Sequence, residues 1–250
     1  MSSIAIIIPC YNEELRFPKT EFIDFITASG NEIVFCLVND GSKDNTLTLL
    51  NTLAKQFPDK VISLNLPQNQ GKAEAVRAGL LKMHQHEKDF DYFAYLDADF
   101  ASPPSEIILI FNQLLINPTL LFGMGARWQR LGSNIDRKLS RHYLGRIFAT
   151  MASLVLKLKV YDTQCGAKVI HKSLIPVVCK DKFLSKWLFD VELIARIIQE
   201  FGKDKTGKII IEVPLNVWIE KGGSKLKFKD LLFVPLELLN IRRIYFKNIS

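Results

Sequence analysis

Along residues 1–125 the chain alternates short apolar, β-branched runs with longer stretches of helical spacing. The strand candidates are "IAIII" (4–8), "EIVFCLVN" (32–39), "VISLNL" (61–66), "YFAYLD" (92–97) and "LLFGMGA" (120–126). Helical patterns fall near 20–29, 44–57, 72–86 and 104–116. Repeated strand–helix alternation predicts a mostly parallel sheet with helices on both faces. Ligands of such sheets sit outside the carboxyl ends of the strands. Three of these ends carry polar clusters far apart in sequence: "PCYNEE" (9–14), "NDGSKDNT" (39–46) and "DADFASPP" (97–104). The fold would bring them to one edge.

The second half has a different pattern. Residues 136–160 place apolar side chains at 139, 143, 144, 147, 148, 151, 154, 155 and 158, which is one helical stripe. Arg137, Lys138, Arg141, Arg146, Lys157 and Lys159 crowd the same stretch against one acid, Asp136. Residues 225–247 again mix a strongly apolar run with flanking Lys and Arg. Two basic amphipathic elements suggest helices lying in a membrane interface. The alternative is that both stripes cover the sheet.

Composition narrows the class. The 250 residues allow one large domain, and 48% hydrophobic with 24% charged residues is ordinary for a folded protein. A net charge of +7 suits an anionic partner, whether nucleic acid, membrane or phosphorylated substrate. Cys10, Cys36, Cys165 and Cys179 are scattered without C-x-x-C, indicating neither a zinc site nor a disulfide framework. Free thiols in a reducing compartment are expected. No apolar run reaches the roughly 18 residues of a spanning helix. The first strand begins too early for a signal peptide, so a cytoplasmic protein is expected.

The sharpest chemical signal is Asp97-Ala98-Asp99 at the end of a buried strand. Alternation aims both carboxylates the same way, and like charges that close call for a cation. A hard divalent ion, Mg²⁺ or Mn²⁺, held by one or two carboxylates and substrate phosphates fits the pair. Solvated loop acids are the plainer reading. Asp40 could accept from a base or ribose hydroxyl, or merely open an Asx turn. Glu13 follows Pro9 and Tyr11 on the same edge, and also reads as a first-turn acid. Lys72 in "NQGKAEAVRAG" opens a helix, where a cation is unfavourable without a nearby anion. That segment is no P-loop, and the absence of G-x-G-x-x-G argues against a dinucleotide-binding dehydrogenase. Arg127 and Arg141 are candidate phosphate clamps, with solvated arginines as the alternative. "DTQCGAKVI" (162–170) reads as a pocket-lining loop, and Asp190 and Glu192 sit inside an apolar helix at 186–197, where an acid is more often solvated than catalytic.

These clusters, in this order, resemble the inverting family 2 glycosyltransferases of GT-A (Rossmann-like) fold, and more closely the dolichyl-phosphate β-glucosyltransferases. The matching segments are "PCYNEE", "LVNDGSKD", "NQGKAEAVRAG", "LDADFAS", "GAR", "YDTQCGAKV", "KWLFDVELI" and "IEKGGSKLK", from about residue 4 to 230. "DTQCG", "FDVEL" and "GSKL" separate this subgroup from generic family 2 enzymes. The related dolichyl-phosphate mannosyltransferases have Gln where this chain has Ala101, which weakens a GDP-mannose assignment.

The resemblance implies a single domain over 1–250. Residues 1–126 would bind the nucleotide sugar and 127–250 the acceptor, with interface helices near 136–160 and 225–247. Pro9, Tyr11, Glu13 and Asp40 would hold the nucleoside. Lys72 and Asp97 would complete the donor pocket, and Asp99 would be the principal metal ligand beside Asp97. Arg127, Arg141, Gln164 and Lys225 would serve the acceptor phosphate. The activity implied is metal-dependent transfer of a hexose, glucose from UDP-glucose, to a polyprenyl or dolichyl monophosphate on the cytoplasmic membrane face. Such a phosphate is largely dianionic at pH 7, taking a second pKa of about 6, and needs no strong general base. A transferase acting on a glycan hydroxyl would need one, and Asp190 is the candidate. A nucleotidyltransferase lacks its Gly-rich loop here, and no nucleic-acid-binding module is recognisable. Oligomeric state is not legible.

Overall fold

The computed structural model describes residues 2–136, 139–221 and 228–247, and side chains at 139–141 and 228–232 lie outside the description. In chain order the strands are β1 (Ile4–Cys10), β2 (Ile33–Asp40), β3 (Val61–Leu66), β4 (Tyr92–Leu96), β5 (Phe122–Ala126), β6 (Asn134–Asp136), β7 (Ala167–His171), β8 (Ile210–Pro214) and β9 (Val217–Ile219). The helices are α1 (Lys19–Ala28), α2 (Thr46–Gln56), α3 (Lys72–His84), α4 (Pro104–Ile116), α5 (Leu139–Leu156), α6 (Ile175–Val178), α7 (Phe189–Phe201), α8 (Lys203–Ile209) and α9 (Phe228–Tyr245).

One sheet runs in the order β3-β2-β1-β4-β7-β5-β8, and β6 pairs with β9 in a small second sheet. Every pair in the large sheet is parallel except β4–β7 and β5–β7. Parallel strands covered on both faces read as continuous apolar runs. In β1, Ile4, Ile6 and Ile8 enter the core on one face and Ala5 and Ile7 the core on the other. Pairing Ile8 with Leu37 and Ile7 with Tyr95 aligns the carboxyl ends of β1, β2 and β4.

The expected strands and helices of the first half are present, with ends shifted by a few residues. The stretch 162–170 is only half a loop, since Ala167–His171 forms strand β7 between β4 and β5. Its reversed direction has a consequence: Leu96 faces Ala167, so the segment before β7 arrives at the carboxyl edge of β4.

The expected stripe of the helix at 136–160 is split in α5. Ala152, Val155 and Leu156 are buried, and Phe148 and Met151 pack against the core. Tyr143, Leu144, Ile147 and Leu154 are exposed instead. Helix α9 divides the same way, with Val234, Leu238 and Ile241 inward and Phe233, Leu236, Leu239 and Ile244 outward. The two helices pack on each other and on α7. Among the described residues, no helix is long and apolar enough to cross a membrane.

Candidate active site

The carboxyl edge gathers the loops after β1, β2 and β4. The first two are stitched together: the Asn12 N–H donates to Ser42 Oγ at 3.0 Å, the Lys43 N–H to Asn12 Oδ1 at 2.9 Å, and the Glu13 N–H to Thr46 Oγ1 at 2.8 Å. Pro9 lies within β1, and partly buried Tyr11 follows it on the loop. Glu13 is buried in that loop, ahead of α1 rather than in its first turn, with Arg16 Nε 3.8 Å from its carboxylate.

Asp40 ends β2 and is 2% exposed. Its carboxylate accepts from the Gln70 N–H at 2.7 Å, the Gly71 N–H at 2.9 Å and Asn69 Nδ2 at 2.9 Å. Three of roughly four acceptor positions are thereby used. Asp40 anchors the 69–71 loop, and this loop delivers Lys72 as the first residue of α3. Gly41 must be glycine here: its φ is +61°, and a Cβ would collide with the backbone of Gln68 and Asn69.

Lys72 Nζ lies 2.5 Å from Asp97 Oδ1. Burial pulls its pKa down, but the charges of Asp97, Asp190 and Asp99 outweigh burial and raise it, so the ammonium stays charged. Asp99 accepts from the Ala101 N–H at 3.0 Å and has Arg16 Nη2 at 3.8 Å. Burial first, and then the charge of Asp97, push the Asp99 carboxyl above the usual carboxylate range. The turn between them is tight, with Phe100 at a φ of +49°. Among the described residues no group of three or more His, Cys, Asp or Glu side chains could hold a metal alone. Asp97 and Asp99 fit part of a shell, the kind Mg²⁺ or Mn²⁺ completes with phosphates and water. Asp99, partly desolvated and short of positive charge, is the stronger fit.

The segment before β7 closes the edge. The Asp97 N–H donates to the Gly166 carbonyl at 3.2 Å, and a Cβ on Gly166 would overlap the Asp97 carboxylate. Thr163 Oγ1 and Gln164 Nε2 are buried there without a hydrogen-bond partner among the described residues.

Arg127, expected as a phosphate clamp, has a carboxylate partner of its own. Its Nε and Nη2 reach Asp162 at 2.7 and 2.8 Å in a bidentate pair, and its guanidinium lies 5.3 Å from the Trp218 ring centre. The pair ties the residue after β5 to the loop at 162–166. Asp190 is buried at 3% exposed, contrary to a solvated acid on a helix face. Its Oδ1 accepts from the Tyr95 hydroxyl and from Lys168 Nζ at 2.6 Å. Glu192 accepts from Arg196 at 2.7 Å, the Tyr245 hydroxyl at 2.7 Å and the Leu184 N–H at 2.8 Å, tying α7 to α9. The side chain of Arg141 and the whole of Lys225 lie outside the described residues.

Three contributors were not anticipated. Arg16 carried no signal in "NEELRF". Gly166 and Lys168 did: a lysine inside an apolar run must find a buried partner, and Lys168 is fully buried against Asp190.

The same architecture occurs in solved structures. A glucosyl-3-phosphoglycerate synthase from Mycobacterium tuberculosis, in complex with Mn²⁺ and UDP-glucose, matches 100% of this chain and 80% of its own, with a TM-score of 0.68 and 17% identity. The same synthase with phosphoglyceric acid matches equally well, at a TM-score of 0.68. The likeness, with the order and direction of the strands, shows a GT-A fold. The family model described as glycosyl transferase family 2 matches residues 5–178, and the protein belongs to that family. Among curated relatives, a dolichyl-phosphate β-glucosyltransferase of Trichomonas vaginalis is 29% identical, over 98% of this chain and 75% of its own. The Saccharomyces cerevisiae enzyme of that name is 28% identical over 98% and 76%. The human one is 28% identical over 94% and 76%.

Proposed function

We propose that the protein transfers glucose from UDP-glucose to a polyprenyl monophosphate at the cytoplasmic face of a membrane. The observation that carries this reading is likeness to dolichyl-phosphate β-glucosyltransferases along nearly the whole chain, including the second half that we assign to the acceptor. The acid pair beside Lys72 supports a diphosphate-bearing donor.

Asp97 and Asp99 would hold Mg²⁺ or Mn²⁺, which when bound offsets the negative charge gathering on the leaving diphosphate. Lys72 adds a fixed cation at the same place, organised before the reaction. Asp40 acts through the 69–71 loop, with one acceptor position left for a nucleoside donor group, and Pro9, Tyr11 and Glu13 line the edge beside it. The acceptor phosphate is ionised near neutral pH, so attack on the anomeric carbon needs no proton removed. Inversion of an α-linked donor would give a β-linked lipid phosphate. The geometry of Asp190 favours this over a glycan hydroxyl acceptor, since Lys168 and Tyr95 already occupy Oδ1. Arg141, Gln164 and Lys225 are the proposed acceptor-phosphate contacts, with Arg127 holding the loop of Gln164 in place. The exposed apolar faces of α5 and α9 would rest in the membrane interface.

The test is to supply the purified protein with polyprenyl phosphate in detergent and a panel of labelled sugar nucleotides, and to follow label into lipid. UDP-glucose is expected to be preferred over GDP-mannose by tenfold or more, about 1.4 kcal/mol of transition-state discrimination. Preference for GDP-mannose overturns the donor assignment, and label in glycan but not lipid overturns the acceptor.

A further inference from the structure

A cavity of about 520 Å³ opens where the C-terminal ends of α5, α7 and α9 meet α8. Leu156, Ile198 and Phe201 give it apolar walls, and among the described residues Lys157, Lys203 and Lys205 line it against the one carboxylate of Asp204. Helix α7 has 13 residues, a span of about 20 Å. It runs from Asp190 beside the catalytic edge to Phe201 at this cavity, so the two sites are at opposite ends of one helix.

Three observations separate the cavity from an ordinary lysine-rich surface. Lys157 has a φ of +53°, a left-handed conformation that glycine usually fills at a helix end. Among the described residues the other non-glycine residues with positive φ, Asn12 and Phe100, both sit in the loops of the candidate active site, and strain of this kind gathers at functional positions. Lys205 Nζ is held 4.7 Å from the Phe201 ring centre, over the apolar wall. Exposed Leu154 and Ile244 lie within one turn of the lining residues Leu156 and Phe246. Lysines near helix C-termini also complement the helix dipole, but that effect asks for neither an apolar concavity nor a left-handed lysine.

We infer that this cavity receives the phosphate headgroup of an anionic membrane lipid, at a site separate from the acceptor site. The ammonium groups of Lys157, Lys203 and Lys205 surround the phosphate, and the acyl chains leave past Leu154 and Ile244 into the bilayer. The inference rests on the membrane docking proposed for α5 and α9.

The test titrates the full chain with phosphatidylcholine vesicles, with and without phosphatidic acid, at fixed ionic strength. The wild type is compared with K203Q/K205Q and with K19Q/K55Q, which removes equal charge from exposed positions on α1 and α2. K203Q/K205Q is expected to lose tenfold or more of the preference for phosphatidic acid, and K19Q/K55Q less than twofold. Equal losses would reduce the effect to diffuse charge and overturn the site. Competition by millimolar glycerol 3-phosphate would make the ligand a free phosphate and overturn the lipid. Turnover of polyprenyl phosphate in neutral detergent keeps this inference apart from the proposed function. K203Q/K205Q should retain wild-type turnover there, and its loss would place the cavity on the acceptor path. A wild type that turns over in detergent yet shows no preference for phosphatidic acid overturns the headgroup site alone.

Discussion

Lys72 Nζ meets Asp97 Oδ1 at 2.5 Å, so the first carboxylate of the acid pair already has a fixed cation. Among the described residues Asp99 has Arg16 beside it at 3.8 Å, with the charge of Lys72 acting more weakly. The pair is therefore asymmetric: Asp97 is closely compensated by Lys72, and Asp99 is the carboxylate proposed to hold the divalent ion.

Asp99→Asn is expected to lower transfer on the order of 10²–10³-fold, the usual effect of removing one electrostatic contact at a reacting centre. The same change should raise the melting temperature at pH 7. The folded-state pKa of Asp99 lies above its unfolded value, so its ionised form opposes folding and its protonated form does not. The advantage of the variant should shrink as pH falls through the raised pKa, and vanish below the ordinary carboxylate range. Thermal unfolding of both proteins across pH checks this, and undiminished turnover in excess EDTA would refute the metal role.

Asp40→Ala removes the acceptor of two backbone N–H groups and one amide. Unsatisfied buried donors cost about 1–3 kcal/mol. The loop carrying Lys72 should loosen, raising the KM for the nucleotide sugar by about tenfold or more at that cost. Steady-state kinetics with the donor varied would show the split. A change confined to kcat would contradict it.

Asp190 and Lys168 form a buried ion pair beneath the edge. Asp190→Asn should destabilise the fold by about 3 kcal/mol, because Lys168 remains buried without its counter-charge. Adding Lys168→Met should restore much of that loss, as seen in denaturant titration, together with measurable transfer. A double variant that folds as the wild type does yet is inactive would instead favour Asp190 as a general base.

Leu154→Ser and Phe233→Ser should weaken the vesicle binding that survives high salt, since full burial of such a side chain is worth about 2 kcal/mol. Lys157 and Lys159 replaced by Glu should weaken only the salt-sensitive part, which contributes about 1 kcal/mol per charge near an anionic surface. Co-sedimentation at two salt concentrations separates the two terms. If the wild type ignores anionic vesicles at low salt, the lipid acceptor loses its main physical support.

Local pattern by itself determined the first half of this protein. Strands buried on both faces announce themselves as apolar runs, and parallel alternation sends their polar ends to one edge. Asp97, Asp99, Asp40 and Glu13 could thus be placed at one edge from pattern alone, whereas Lys72 joined them through the family resemblance. Tertiary structure decided what these residues touch. β7 is five residues long and its reversed pairing is a long-range choice, so nothing local revealed that Gly166 would press against Asp97. The partnership of Arg127 with Asp162 likewise joins residues 35 positions apart. It gives the guanidinium a carboxylate partner that the local pattern did not reveal. Helix α5 makes the same point through burial: spacing identifies apolar positions, but only packing against α7 and α9 assigned Val155 to the core and Leu154 to the surface. Period is a property of one segment, whereas partner and face depend on what the rest of the chain brings alongside it.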